Sequence, residues 1–199
     1  MKNKILAKSA EMFLNLGVKS VTMDEIASEL GISKKTIYAH YSTKTKLIEA
    51  TALYVFENIS CGVQAIRREK KDPIEEMYSI KDFALEHLKN EKSSPQYQLQ
   101  KYYPKIFEMV KTKQQQIMDD QIRENLERGI AQGVYREDLP LGFTSRIYLI
   151  GMLGIKDRDQ FPESDYTTHE LIEKHLEYHL RAIVTEKGRS SLTKYLKSS

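Results

Sequence analysis

Apolar residues in this chain recur at intervals of three and four, with almost no two-residue alternation, so the pattern predicts helices and nearly no strands. Leu6, Ala10, Phe13 and Leu14 mark one face of a first helix, with Gly17 placed to end it. "TMDEIASELG" predicts a short second helix, opened by a Thr22–Glu25 capping box and stopped at Gly31. Ser33 caps a third helix, Lys34 to about His40, and Ser42 or Thr43 caps a fourth. In the fourth, Ile48, Ala52, Val55, Ile59, Gly62 and Ile66 predict one buried stripe to about Arg68.

Asp72-Pro73 opens a fifth helix, with Ile74, Met77, Phe83, Ala84 and Leu88 apolar. "NEKSSP" reads as a surface turn. A short helix near Gln96–Tyr102 follows, then a long one from Pro104 to Gln132 faced by Val110, Ile117, Ile122 or Gln121, Leu126 and Ile130. After the break at "GVYREDLP", Ile147–Ile155 is apolar all round, which predicts a fully buried helix. "DRDQFPES" reads as a loop. Leu171 to about Glu186 is a last long helix, with Ile172, Leu176, Leu180 and Ile183 inward and Gly188 as its end. Leu192, Tyr195 and Leu196 mark a weak short helix in the tail.

The predicted fold is therefore all-α: a three-helix module over residues 1–46, and a larger helical body over 47–199. Within the module, two short helices joined by "GIS" form a helix-turn-helix. Ile26, Ala27 and Leu30 face inward from one helix and Ile37 from the other. Gly31 permits the turn and Ile32 plugs it. The outward residues of the second helix are Lys, Lys, Thr, Tyr, Ala and His, rich in donors for phosphates and base edges. A plain helical hairpin with a solvated lysine face is the alternative.

Charge sharpens this picture. The 199-residue chain carries a net charge of only +3. Residues 1–50 hold eight lysines and five acids, so the basic excess sits in the first quarter. The remainder is neutral. The lone cysteine, Cys61, excludes an intrachain disulfide and argues against a cysteine metal site. The apolar run around "RIYLIGMLGI" is too short to cross a bilayer, and no signal peptide is legible, so a cytoplasmic protein without a membrane partner is expected.

Residues 5–50 resemble the DNA-binding domain of the TetR family of transcriptional regulators. The resemblance rests on "ILAKSAEMF", "GVKSVTMDEIA", "LGISKKTIYAHY" and "KTKL". "QKYYPKIFE" and "GIAQGVYRED" are similar to phrases in some members' regulatory domains. Lys44-Thr45 departs from a common Lys-Glu pair, and Lys34-Lys35 is more basic than the family requires. The resemblance implies phosphate contacts from Thr22 and Lys44 and places Thr36, Tyr38 and His40 in the recognition helix; Ser33, Lys34 and Lys35 join the expected DNA contacts on their own donor chemistry. Tyr41 sits where the family packs an aromatic residue into the module.

Other chemistry is thin. His175 and His179 have the i,i+4 spacing of a metal pair, but no firm third ligand accompanies them, and two half-exposed interface histidines are the plainer reading. "HELIE" at 169–173 lacks the second histidine of H-E-x-x-H. No Ser-His-Asp set, glycine-rich phosphate loop or carboxylate cluster is legible, so neither catalysis nor a cofactor nor a metal is expected. Phe83, His87, Tyr103, Phe107, Met118, Tyr148 and Met152 are candidates for an adaptable pocket, with His87 and Arg146 as polar anchors if they point inward. Each is equally suited to an ordinary core.

The expected function is that of a ligand-responsive, dimeric regulator, a repressor, that binds a double-stranded DNA operator. Its effector would be a small hydrophobic or aromatic molecule. A helical enzyme or metal-binding protein whose first module does not bind DNA is the alternative. The two long C-terminal helices are expected to build the homodimer as a four-helix bundle.

Overall fold

The computed structural model describes residues 1–88, 95–155, 157, 159–162 and 164–196, giving the backbone alone for 87, 88, 95 and 96. The turn expected at "NEKSSP" falls largely on residues outside this description. Ten helices are present among the described residues: α1 (Lys2–Leu16), α2 (Met23–Leu30), α3 (Lys34–His40), α4 (Lys44–Arg68), α5 (Pro73–Leu88), α6 (Pro95–Tyr102), α7 (Pro104–Ala131), α8 (Leu141–Gly154), α9 (Thr168–Ile183) and α10 (Glu186–Leu196). The fold is all-α.

The chain forms two compact units, one of Met1–Gly62 with Glu86–Gln114, the other of Val63–Leu85 with Gln115–Ser199. Residues 1–46 lie whole within the first, which also takes in the first part of α4, all of α6 and the start of α7. Its core joins Ile5 and Phe13 of α1, Ile26 of α2, Ile37 of α3, Leu47 and Ile48 of α4, and Ile106 of α7. Leu99 and Tyr103 pack against it.

The stripe expected along α4 is not continuous. Leu47, Ile48 and Thr51 are buried in the first unit and Val63 in the second, but Ile59 between them is exposed. The helix passes from one unit to the other at Gly62–Val63, so its two ends serve separate cores.

The second unit is built on Ile74, Met77, Ile122, Leu126, Tyr135, Leu176, Leu180 and Leu192. Asp72 caps α5, its Oδ1 accepting the Ile74 N–H at 2.9 Å. The loop after α7 runs antiparallel to the end of α9. Tyr135 and Val184 form an isolated bridge, and the Arg136 N–H donates to the Ile183 carbonyl at 2.9 Å.

That pairing corrects the predicted end of the last long helix. Val184 is extended and ends α9, so Gly188 lies inside α10 instead of terminating α9. Gly188 faces the Val134 carbonyl, where any Cβ would collide, so its role is close approach of two backbones.

The segment 147–155 is a second correction. Residues 147–154 lie in α8, with Ile155 capping its end, but one face is open: Phe143, Ile147, Ile150 and Leu153 are 67%, 48%, 63% and 42% exposed. Tyr178 on α9 is 76% exposed. An all-apolar helix needs cover on every side, and a single chain supplies it only on the side of Thr144, Ser145 and Leu149.

Candidate nucleic-acid interface

Local chemistry positions α2 and α3. The Thr22 hydroxyl accepts the Glu25 N–H at 3.2 Å, and the Glu25 carboxylate accepts the Thr22 N–H at 2.7 Å. The Thr22 N–H and, after it, the Thr22 hydroxyl, which donates to Glu25 Oε2 at 3.0 Å, hold the Glu25 pKa below its ordinary value. Gly31 ends α2 in the left-handed region at φ 63°, ψ 32°, where a residue bearing a Cβ is strained. Its N–H returns to the Ser28 carbonyl at 3.0 Å. The Ser33 hydroxyl then caps α3, accepting the Thr36 N–H at 3.1 Å. Ile26, Ala27 and Ile37 are buried between the helices, and Tyr41 is buried as expected. The turn is therefore specified residue by residue, and α3 presents its other face outward.

The eight expected contact residues fall into three groups. Lys35, Tyr38 and His40 are exposed on α3, Tyr38 to 41%. Thr22, Ser33 and Thr36 lie at helix starts, where their hydroxyls already serve the caps, Ser33 and Thr36 sharing a hydrogen bond of 2.9 Å. The two remaining lysines are held. Lys34 Nζ lies 2.6 Å from Asp24 Oδ2. That hydrogen bond raises the Lys34 pKa. Lys44 Nζ donates to the Lys19 carbonyl at 3.1 Å, and desolvation lowers its pKa against the opposing pull of Glu25.

Sequence reading missed the surroundings of Lys44. The Lys19 N–H donates to Gln98 Oε1 at 3.3 Å, which places α6 against the α1–α2 turn. Lys19 Nζ stands 4.6 Å from the centroid of the Tyr102 ring, and Lys101 Nζ stands 5.6 Å from the same ring. The position of Lys19, three residues before the capping threonine, was a legible signal. Its pairing with residues near 100 was not.

The candidate effector residues are divided between the two units. Tyr103 and Phe107 belong to the first unit, whereas Phe83, Met118, Tyr148 and Met152 belong to the second. His87 lies outside the residues whose side chains are described. Arg146 is exposed. Tyr148 lies against both histidines of α9, with ring centroids 5.1 Å from His175 and 4.5 Å from His179. His175 Nε2–H donates to the Tyr148 carbonyl at 3.0 Å. His179 is 6% exposed, which corrects the half-exposed reading. Its burial depresses its pKa to about 4. A cleft of about 400 Å³ in the second unit is lined by other residues, among them Glu75, Tyr78, Lys81, Asp82, Glu173 and Tyr195.

Residues 5–51 match the family described as bacterial regulatory proteins, tetR family. The HTH-type transcriptional activator FasR of Mycolicibacterium smegmatis is 32% identical over 71 residues, 36% of this chain and 32% of FasR. The HTH-type transcriptional regulator YvaF of Bacillus subtilis is 38% identical over 69 residues, 35% of this chain and 34% of YvaF. The chain thus spans about a third of the length of these curated relatives. The crystal structure of a transcriptional regulator from Cytophaga hutchinsonii is similar with a TM-score of 0.76 at 19% identity, covering 92% of this chain and 98% of that one. That likeness carries the fold alone. Residues 5–51, from α1 into the start of α4, thus form a module of the tetR family of bacterial regulatory proteins, and the all-helical architecture continues through the remainder of the described chain.

Proposed function

We propose that the chain is a sequence-specific DNA-binding transcriptional regulator, a dimeric repressor released by a small effector. Residues 1–46 form the reading head and residues 47–199 the regulatory and dimerisation body. The observation that carries this reading is α3: a capped helix with Lys35, Tyr38 and His40 exposed on its outward face. Lys34 and Thr36 lie in its first turn and Thr22, Ser33 and Lys44 flank it, all set to engage phosphates as α3 reads base edges. The exposed face of Phe143, Ile147, Ile150, Leu153 and Tyr178 supports a homodimer closed through α8 and α9.

The effector is a small hydrophobic or aromatic molecule, seated among the methionines and tyrosines of the body. Its binding favours one setting of α4, the helix shared by the two units, so that effector and DNA disfavour each other reciprocally. Binding to a random-sequence duplex, followed by fluorescence anisotropy across a salt series, tests the reading. Affinity should fall steeply with salt, and a selected operator should bind more tightly than random duplex at the same salt. A dimer that binds neither duplex at low salt overturns it.

A further inference from the structure

Lys44, the expected phosphate contact at the start of α4, does not stand alone. Its ammonium donates to the Lys19 carbonyl, and the Lys19 ammonium stands over the Tyr102 ring at 4.6 Å. Lys101 stands over the same ring at 5.6 Å and over Tyr97 at 5.5 Å. Lys19 and Lys101 form no ion pair with a carboxylate among the described residues. The Lys19 ammonium is held on the exposed ring of Tyr102, which is 40% exposed, and the Lys101 ammonium lies near the same ring while donating one hydrogen bond to the Tyr97 hydroxyl at 3.4 Å.

A ring face attracts an ammonium through its quadrupole and leaves N–H donors turned outward. That differs from Lys34, whose charge is already countered by Asp24. Lys44, Lys19 and Lys101 are thus linked in sequence by a carbonyl and a tyrosine ring, all within the first unit. The carboxylate near the start of this track is Glu25, itself committed to the α2 cap.

We propose that Lys19 and Lys101, held on Tyr102, form a second phosphate-binding site that continues the DNA interface from α4 onto α6, outside the helix-turn-helix module. This rests on the proposed DNA-binding function. The site takes backbone phosphate and carries no base readout, so it adds affinity for all duplexes equally. It also makes α6 part of the DNA-bound surface.

The test is binding of the full-length dimer to a random-sequence duplex across a salt series, for wild type, Lys44→Ala, Lys19→Ala, Lys101→Ala and the Lys19→Ala/Lys101→Ala double variant. Each single loss should flatten log K against log salt by about one unit, and the double by about two. Lys19→Arg and Lys101→Arg should keep the wild-type slope. Unchanged melting temperatures of the alanine variants separate a lost contact from a loosened α1–α2 turn. If Lys44→Ala flattens the slope while the double variant keeps it, the α6 site is wrong and the reading head stands. If wild type binds no duplex, both fall.

Discussion

Lys34, the first residue of α3, is tied to Asp24 of α2, its Nζ 2.6 Å from the carboxylate oxygen. The counter-charge of the first residue of α3 is therefore supplied by α2. Asp24→Asn should release Lys34 toward phosphate, tighten binding to any duplex, and steepen the salt dependence by up to about one unit of slope. The pair is exposed, so the melting temperature should barely move. Anisotropy titrations at two salt concentrations check this, and weaker binding by Asp24→Asn would refute it.

Tyr38 projects from α3 with its ring 41% exposed. Tyr38→Phe removes one hydroxyl and keeps the ring, so it should cost about 1–2 kcal/mol in operator binding with no loss of fold stability. Equal affinities at matched salt would place Tyr38 outside the interface.

In the second unit Glu76, 1% exposed, accepts from Asn125 Nδ2 at 2.9 Å and from Arg128 Nη2 at 2.7 Å. The Tyr135 hydroxyl donates to Asn125 Oδ1 at 3.1 Å, and Asn125 Nδ2 also reaches the Pro73 carbonyl at 3.0 Å. Breaking such a buried network strands its members. Glu76→Ala should lower unfolding stability by about 3–5 kcal/mol and Tyr135→Phe by about 1–3 kcal/mol. Urea unfolding of the two variants measures this. Losses below about 0.5 kcal/mol for both would show that water replaces the network freely.

His179 gives the second unit a pH dependence. Its pKa falls from 6.5 unfolded to about 4 folded because burial penalises the imidazolium, with His175 adding repulsion. Between those values the unfolded chain binds the extra proton. The stability this group contributes is full above pH 6.5 and is lost as pH falls toward about 4, a difference of order 3 kcal/mol. His179→Leu should flatten stability against pH in that window. A variant with the wild-type pH profile would assign the dependence elsewhere.

The open face of α8 and α9 predicts the oligomeric state. Ile150, 63% exposed, lies in the middle of that face, so Ile150→Glu should convert a dimer into a monomer at micromolar concentration. Sedimentation velocity reads the outcome. A variant that remains dimeric would place the interface on another surface.

How much of this was legible depends on the range of the interactions. The helix-turn-helix follows from neighbours a few residues apart: the Thr22–Glu25 box, Gly31 in its left-handed turn and Ser33 over the Thr36 N–H; Asp72 before Pro73 starts α5 in the same way. Caps and turns are decided by local hydrogen bonds, which residue type and spacing already specify. Periodicity likewise located α1, α5, α7 and α9, because one buried face repeats with the helical turn, whereas α8 was legible only as an apolar run from Ile147 and begins at Leu141.

Tertiary structure decided what local pattern cannot encode. Glu76 looks like a solvated helix residue until Asn125, some fifty residues away, meets it. Gly188 looks like a helix stop until the Val134 carbonyl lies against it. His179 reads as half-exposed until Tyr148 covers it. Lys19 is one charge among eight until Gln98 and Tyr102 of α6 fix it beside Lys44. Each outcome depends on which distant element supplies cover, a partner or a ring face, and that is settled only when the chain packs.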